Sequence, residues 1–330
     1  MSPDLPAPLR AALDHALEGV PRKGLAERAA RTSEAYRAGR PSSGVIREAD
    51  DALAYALTRL PATYAACATA LAEAARMAPG FAPKTLLDAG AGTGAASWAA
   101  SQVWPGLAAF TWLDASAPFL ALAAQLVADG PPALRAAEPR RADLTSGSAW
   151  PRSDLVVASY ALAEIAPEKQ ISAIAELWTA TEGMLVLIEP GTPAGYARVL
   201  AARAALIEAG ADIPAPCPHA QACPLVGEDW CHFSVRLPRS RDHRLAKGAE
   251  VPFEDERFSY LVAARPRVAV ASRQPRILAP PRTAKPGIAL KLCGLDGAVE
   301  TRVVGKRDKA AYAMARRLDW GDVLARPRRG

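Results

Sequence analysis

Apolar residues in the first 80 positions recur every three or four residues, the spacing that places them on one face of a helix. One series runs from Leu9 to Val20, and a second runs from Ile46 to Leu60. Prolines interrupt the pattern at nearly regular intervals, at Pro21, Pro41, Pro61 and Pro79. The pattern therefore predicts a helical N-terminal domain over residues 1–80, with helices that end near the prolines.

From Lys84 onwards, short apolar runs alternate with stretches that have the length and composition of helices. The predicted strands cover residues 85–88, 109–114, 154–159 and 184–189. The predicted crossover helices cover residues 94–103, 118–128 and 168–181. Strands that alternate with helices form parallel βαβ units, so the pattern predicts an open α/β sheet with helices on both faces. A ligand crevice is expected at the carboxyl ends of the strands.

Beyond residue 211 the sequence is rich in Pro, Cys and His, which is typical of loops. Residues 231–237 and 258–263 are strand candidates that would complete the sheet. The last segment predicts a hairpin from residues 289–293 and 298–304, then a helix over 309–318. The predicted units are a helical domain (1–80), an α/β core (81–210), a Cys-rich insertion with the final core strands (211–263) and a C-terminal extension (264–330).

The composition is that of a globular protein, because half of the 330 residues are hydrophobic and 22% are charged. No run of about 18 uncharged apolar residues occurs, and acidic residues lie among the first 20 positions, unlike in a signal or transit peptide. We therefore expect no membrane insertion and no secretion. The expected location is the cytoplasm, and the expected state is a monomer.

Charge is unevenly distributed along the chain. Residues 264–330 contain 16 Lys and Arg against 5 Asp and Glu, a balance of +11, whereas the whole chain carries +6. Such a basic segment is expected to contact nucleic acid through phosphates, where counterion release supplies much of the affinity. The alternative is a solvated basic face on a small domain.

A glycine-rich turn follows the first predicted strand, with Asp88 two positions before Gly90, and with Gly92 and Gly94 after it. Glycine lets the backbone approach a ligand closely. The D-x-G-x-G-x-G spacing differs from the dinucleotide fingerprint G-x-G-x-x-G, whose third glycine lies one position later. It resembles motif I of class I S-adenosylmethionine-dependent methyltransferases. The resemblance implies that Asp88, Gly90, Gly92 and Gly94 bind this cofactor.

Two further acidic residues match that fold. Asp114 ends the second predicted strand, where class I methyltransferases place a carboxylate that accepts hydrogen bonds from the ribose hydroxyls. Asp143 occupies the position of an acidic or polar group near the adenine amino group. Each alone is a weak signal, since an Asp at a strand end is often only a helix cap. Together with the glycine turn, they predict an α/β protein with a Rossmann-like class I methyltransferase sheet.

The methyl-acceptor side has no comparable signature. The fourth strand is followed by Tyr160-Ala161-Leu162, without the N/D-P-P-Y/F motif of base N-methyltransferases. No cysteine lies at a strand end of the core, where enzymes that make 5-methylcytosine need a nucleophile. Tyr160 and Glu164 are candidates for an acceptor pocket, although a Tyr at a strand end more often packs. No catalytic residue is assigned.

Four of the five cysteines lie in the last third of the chain. Three form a C-x5-C-x7-C pattern and the fourth follows 62 positions later: Cys217, Cys223, Cys231 and Cys293. The C-x2-4-C pairs typical of zinc fingers are missing. A cuboidal iron-sulfur cluster accepts ligands from separate loops, so it fits better. Zinc, with ligands from His219, His232 or His243, and unligated buried thiols are the alternatives, and Cys67 is predicted to be a core residue.

The combined motifs resemble the methyltransferase-like proteins associated with the mitochondrial small ribosomal subunit, together with their bacterial relatives. The resemblance rests on the glycine turn, on residues 188–193, on the Cys-rich run 217–233, on Cys293 and on residues 315–322. It implies that the four cysteines bind a 4Fe-4S cluster. It also implies that the protein acts on the small ribosomal subunit and its RNA during maturation.

Two classes of function follow. The first is an S-adenosylmethionine-dependent methyltransferase that modifies ribosomal RNA of the small subunit. The second is a non-catalytic assembly factor that uses the methyltransferase fold as a scaffold for RNA or protein, with either the cluster or zinc as its metal. The intact glycine turn and Asp114 favour retained cofactor binding, whereas the missing acceptor motif favours the scaffold.

Overall fold

The protein is represented by a computed structural model, which describes residues 3–37, 44–147 and 149–324. The helices are α1 (Ala7–Ala16), α2 (Arg22–Arg37), α3 (Ala49–Met77), α4 (Ala95–Val103), α5 (Ala117–Leu126), α6 (Pro132–Arg135), α7 (Pro167–Ala180), α8 (Pro193–Glu208), α9 (Arg241–Lys247) and α10 (Lys309–Ala315). The strands are β1 (Thr85–Ala89), β2 (Ala109–Asp114), β3 (Glu138–Arg141), β4 (Ser153–Ser159), β5 (Thr181–Pro190), β6 (Asp212–Ala215), β7 (Phe233–Pro238), β8 (Phe253–Ala264), β9 (Arg276–Ile277), β10 (Arg282–Thr283), β11 (Gly287–Cys293) and β12 (Val299–Gly305).

The larger sheet has eight strands in the order β3-β2-β1-β4-β5-β8-β6, with β7 also paired to β8. The first five strands run parallel, whereas β8 is antiparallel to β5, β6 and β7. The chain leaves β1 towards β2 and later returns on the other side of β1 to form β4. This reversal creates a switch point at the carboxyl end of β1, where open α/β sheets bind their ligands.

Helices cover both faces of this sheet, because successive residues of a strand point to opposite sides. Leu86 of β1 packs in a core shared with α3, α4 and α5. The next residue, Leu87, packs in a second core formed with α7 and α8. The strand order and the two helical layers confirm the predicted class I methyltransferase sheet.

Helix α3 departs from the prediction that helices end near the prolines. It is 29 residues long and continues through Pro61, which lacks the amide that would bond to the Leu57 carbonyl. The helix packs against α2, α4, α5 and β8, and most of its side chains are buried. This packing outweighs the local cost of the proline, so the predicted break at Pro61 is wrong; Pro41 lies outside the described residues.

The C-terminal segment forms a second, four-stranded sheet with the order β10-β11-β12, in which β9 also pairs with β11. The predicted hairpin is present as β11 and β12, and the predicted helix is present as the shorter α10. A small core centred on Ile277, Leu290 and Leu292 holds the sheet together. The predicted division into four units stays a prediction, and residues 325–330 of the extension lie outside the described residues.

None of the helices in the described ranges is both long and apolar enough to span a membrane.

Candidate cofactor site and thiol cavity

The glycine turn lies directly after β1, at the switch point of the sheet. Gly90, Gly92 and Gly94 all have positive φ angles, of 76°, 54° and 81°. These are conformations that side chains rarely adopt, which explains why glycine occupies the positions. A Cβ atom on Gly90 would also lie 2.7 Å from the Cβ of Ala161, in the loop after β4. The turn therefore depends on glycine for its shape and for its close approach to β4.

Asp88 anchors the turn from inside the protein. Its Oδ2 accepts hydrogen bonds from the Ser97 amide at 3.0 Å and from the Ser97 hydroxyl at 2.7 Å. Ser97 in turn accepts one from the Trp112 indole at 3.0 Å. The Oδ1 atom is buried and has no partner among the described residues, and burial raises the pKa of Asp88 to about 6. The carboxyl group thus ties β1 to α4.

Asp114 meets the same turn from the end of β2. Its Oδ2 accepts a hydrogen bond from the Gly92 amide at 2.7 Å, and its Oδ1 accepts one from the Ser116 amide at 2.8 Å. Burial raises the pKa of this carboxyl group, and the two amides oppose that shift. The half-buried carboxylate therefore holds the glycine turn next to the first turn of α5.

Asp143 follows β3 at the same edge of the sheet, because the Ala142 amide donates to the Asp114 carbonyl at 3.0 Å. The side chain is exposed, and its Oδ1 accepts bonds from the amide and hydroxyl of Thr145 at 2.8 and 2.9 Å. These bonds lower its pKa. The structure thus places all six predicted cofactor residues at the carboxyl ends of β1 to β3, and their binding role stays a prediction.

The loop after β4 carries a buried polar network that the sequence reasoning missed. Tyr160 has a φ of 58°, and its hydroxyl donates to Glu256 Oε1 at 2.7 Å. Arg59, on α3, pairs with the same carboxylate at 3.0 Å. These residues lie 96 and 197 positions from Glu256, so no local pattern links them. Helix α3 and strand β8 are thereby joined to the loop after β4, which contains the candidate acceptor residue Tyr160.

The four predicted metal-ligating cysteines line one cavity. Cys217 follows β6, Cys223 and Cys231 lie in the loop before β7, and Cys293 ends β11. All four thiols are free. We call this space the thiol cavity. It lies where the Cys-rich loop meets the second sheet, so the extension contributes one of its four thiols.

The thiols of the cavity interact with polar neighbours and with one another. The Tyr196 hydroxyl donates to Cys223 Sγ at 3.1 Å, and His219 Nε2 lies 3.3 Å from Cys293 Sγ. Burial raises the pKa of Cys217 and of Cys231, and it raises the pKa of Cys293 to about 12. A metal centre bound here would displace thiol protons, since the thiolate is the ligating form.

The donor atoms do not converge on a single point. In the part of the chain that the structure describes, no group of three or more His, Cys, Asp and Glu side chains has the arrangement that would hold one metal ion. Of the three histidines considered for zinc, His219 lines the cavity and the other two do not. His232 stacks on Trp230, and His243 faces Glu254 at 3.2 Å.

Two buried arginines complete the cavity wall, and sequence reasoning missed both. Arg203, on α8, donates from Nη2 to the carbonyls of His219 and Gln221, each at 2.8 Å. Arg276, on β9, is paired in register with Cys293 and donates to the Pro216 and Gly321 carbonyls at 3.0 and 2.7 Å. It also forms an ion pair with Glu73 of α3. Arg203 lies in an Ala-rich helix and Arg276 in a Pro-rich segment, and neither sequence context indicates burial.

The sheet and the turn at its switch point define a protein of the class I methyltransferase fold. Residues 49–325 match the family model described as "Mitochondrial small ribosomal subunit Rsm22", so the chain belongs to the Rsm22 family. The human "Ribosome assembly protein METTL17, mitochondrial" is 31% identical over 291 residues, which cover 82% of this chain and 62% of that protein.

A fission yeast relative extends the comparison. "Rsm22-cox11 tandem protein 2, mitochondrial" of Schizosaccharomyces pombe is 29% identical over 215 residues, or 52% of this chain and 29% of that protein. This chain thus spans less than two thirds of the length of either relative. The family and both relatives are described as mitochondrial, which contradicts the expected cytoplasmic location.

Solved structures with similar folds are more distant. Magnesium protoporphyrin IX methyltransferase from Synechocystis, with bound SAM, has a TM-score of 0.38 and 15% identity, covering 67% of this chain and 85% of its own. The N-methyltransferase NodS from Bradyrhizobium japonicum, in complex with S-adenosyl-L-homocysteine, has a TM-score of 0.39 and 14% identity. The match covers 64% of this chain and 89% of NodS. The fold assignment rests on the strand order seen here.

Proposed function

We propose that this protein acts in assembly of the small ribosomal subunit, as a methyltransferase-fold protein that binds S-adenosylmethionine at the glycine turn and a 4Fe-4S cluster in the thiol cavity. Membership of the Rsm22 family and the name of the human relative support the assembly role. The cofactor part rests on Asp114 and the three glycines, which together shape the switch-point crevice.

The shared cavity of four cysteines is the observation that carries the cluster proposal. Three of the thiols come from the loop between β6 and β7 and the fourth from the end of β11, so two separate parts of the fold line the same cavity. A cuboidal cluster accepts one ligand at each of four separated iron atoms, whereas tetrahedral zinc needs its donors around a single point. Among the described residues no three such side chains are arranged to hold one metal ion, so the cluster proposal rests on the cavity that the four cysteines share.

A bound cluster would cross-link the two sheets. It would attach Cys293, at the end of β11, to the loop between β6 and β7, and so fix the basic extension against the methyltransferase core. Ion pairs already join these parts, through Lys291 and Asp229 and through Arg276 and Glu73. The cluster would add a fixed geometry that polar contacts between flexible side chains do not provide.

A non-catalytic scaffold is the second candidate function, and the network of Tyr160, Glu256 and Arg59 favours it. The contacts with Glu256 and Arg59 hold Tyr160, the candidate acceptor-pocket residue, in a structural network. Mapping methylated nucleotides in small-subunit RNA from cells that lack the protein distinguishes the two candidates. A missing methyl group would support catalysis, whereas an unchanged methylation pattern with impaired subunit assembly would support the scaffold.

Anaerobic purification tests the cluster. We expect a coloured protein with about four iron and four sulfide per chain. Cys293→Ser should lose the visible absorption and iron, because one of four ligands is removed. Cys67→Ser is the matched control, since Cys67 is buried in α3 away from the cavity and should leave the metal content unchanged. A colourless protein with one zinc per chain would refute the cluster.

A further inference from the structure

Arg203 is a buried cation without a carboxylate partner. Its side chain is 5% exposed, and it forms no ion pair with any Asp or Glu among the described residues. Buried charges in proteins are normally paired, because an isolated charge is strongly disfavoured away from water. Its Nε–H is also buried and has no hydrogen-bond acceptor in the described part of the chain. Among the described residues, both this charge and this donor therefore lack a partner.

The uncompensated group forms part of the wall of the thiol cavity. Arg203 lines the cavity together with the four cysteines. The second arginine in the wall differs, because Arg276 is paired with Glu73 and donates to two carbonyls. Arg203 is thus the cavity cation whose counter-charge is missing.

We propose that Arg203 is the counter-charge of the metal centre: its guanidinium balances the negative charge of a cluster bound by four thiolates and hydrogen-bonds the sulfur side of that centre. The proposal rests on the cluster proposed above. Four thiolates around a 4Fe-4S core with a charge of 2+ give a net charge of 2−, and one-electron reduction makes it 3−. A fixed positive charge beside the sulfurs stabilises the reduced state more than the oxidised state.

Arg203 also positions the ligand loop. Its Nη2 bonds the carbonyls of His219 and Gln221, which lie between Cys217 and Cys223. Arg203 thus holds the loop that carries Cys217 and Cys223, and its positive charge compensates the negative charge of the thiolates. Metal content alone would not separate these two effects, so the test needs a measurement that depends on charge.

The test compares cluster potentials in four proteins. Wild type, Arg203→Gln, Arg203→Lys and the control Arg302→Gln are reconstituted anaerobically with ferrous iron and sulfide. Iron and sulfide are then counted, and the midpoint potential is measured by titration with dithionite, which supplies the one electron. We expect Arg203→Gln to shift the midpoint to a more negative value and to lose iron faster in air. Arg302 is exposed on β12 outside the cavity wall, and its removal should leave the midpoint unchanged.

Arg203→Lys separates charge from loop positioning, because lysine keeps the charge but lacks the planar fork that spans two carbonyls. A midpoint close to wild type in this variant supports charge compensation, even if Arg203→Gln fails to fold. A midpoint shifted as far as in Arg203→Gln, or a wild-type midpoint in a folded Arg203→Gln, overturns the proposal. Wild-type protein that binds no iron and sulfide would instead refute the cluster itself.

Discussion

Asp88 illustrates how one buried carboxyl group serves the fold at a cost that depends on pH. The folded protein gives it a pKa of about 6, above the ordinary value of 3.8. Between these two values the folded state binds more protons than the unfolded state, so this group's contribution to stability decreases as pH rises from about 4 to about 6. Above that window the ionised, partly unsatisfied carboxylate opposes folding.

We therefore expect Asp88→Asn to stabilise the protein at neutral pH. The amide oxygen can still accept both bonds from Ser97, and the buried charge is gone. The free energy of unfolding should rise by about 1–3 kcal/mol near pH 7.5 and change little near pH 4. Urea denaturation at both pH values measures the difference. Asp143→Asn is the exposed control, and a destabilised Asp88→Asn at pH 7.5 would contradict the expectation.

Asp114 allows a direct test of the cofactor site. We expect Asp114→Asn to weaken binding of S-adenosylmethionine by about tenfold or more, or about 1–3 kcal/mol, because the amide has only one oxygen to accept hydrogen bonds. Calorimetry measures the affinity. Glu138→Gln removes an exposed charge from neighbouring β3 and should have no effect. Equal affinity in wild type and Asp114→Asn, or no binding by wild type at millimolar cofactor, would refute the cofactor proposal.

Helix α3 shows how tertiary packing overrides a local signal. A proline within a helix removes one hydrogen bond and crowds the preceding turn, at a cost of about 3 kcal/mol. The helix nevertheless continues, because Leu57, Leu60 and Tyr64 around the proline are all buried against the rest of the molecule. Breaking the helix there would expose more apolar surface than the proline costs.

Pro61→Ala should therefore stabilise the protein. The new amide can bond to the Leu57 carbonyl, and we expect the free energy of unfolding to rise by about 1–2 kcal/mol after the greater freedom of the unfolded chain is subtracted. Chemical denaturation checks this. Pro167→Ala is the matched control, because Pro167 occupies the first turn of α7, where no bond is missing, and should cause a loss of about 0.4–1 kcal/mol. A destabilised Pro61→Ala would show that the helix is adapted to the proline.

Across the whole molecule, the basic extension divides into two groups of charges. One group attaches the extension to the core through ion pairs, as in Arg267 with Glu182, Arg273 with Asp212 and Lys291 with Asp229. The other group is exposed with no ion pair in the described part of the chain: Arg282, Lys285, Lys306, Arg307, Lys309, Arg316 and Arg317. The net charge of +11 therefore overstates the charge available to phosphates.

We expect the second group to provide the RNA affinity. The triple variant Lys306→Gln, Arg307→Gln, Lys309→Gln should weaken binding to small-subunit ribosomal RNA by about tenfold or more at low salt. The slope of log affinity against log salt should fall by about one for each lost phosphate contact. Filter binding across a salt series measures both quantities. The control triple Lys23→Gln, Arg135→Gln, Lys169→Gln removes the same charge from other exposed positions, and equal losses in both would contradict the assignment.

Local patterns predicted most of the sheet but missed elements that carry no apolar signal. Strand β3 is exposed at all four positions, and the apolar half of β8 is preceded by the charged run Glu254 to Arg257. Both are strands because a neighbour supplies hydrogen bonds, β2 in one case and β7 in the other. Helix α8 was also missed, because its sequence has only a weak separation of apolar and polar faces.

The sequence by itself determined the glycine turn, the parallel strands and the four cysteines of the thiol cavity. These depend on backbone conformation, residue periodicity and side-chain chemistry, which act over a few neighbouring positions. Only the tertiary structure decided which distant side chains share a site: Arg59 with Glu256, Arg276 with Glu73, and Arg203 with the cysteine loop. The reason is that a buried charge needs a partner and interacts with it more strongly than a charge in water does. Which charges are buried depends on the packing of the entire chain.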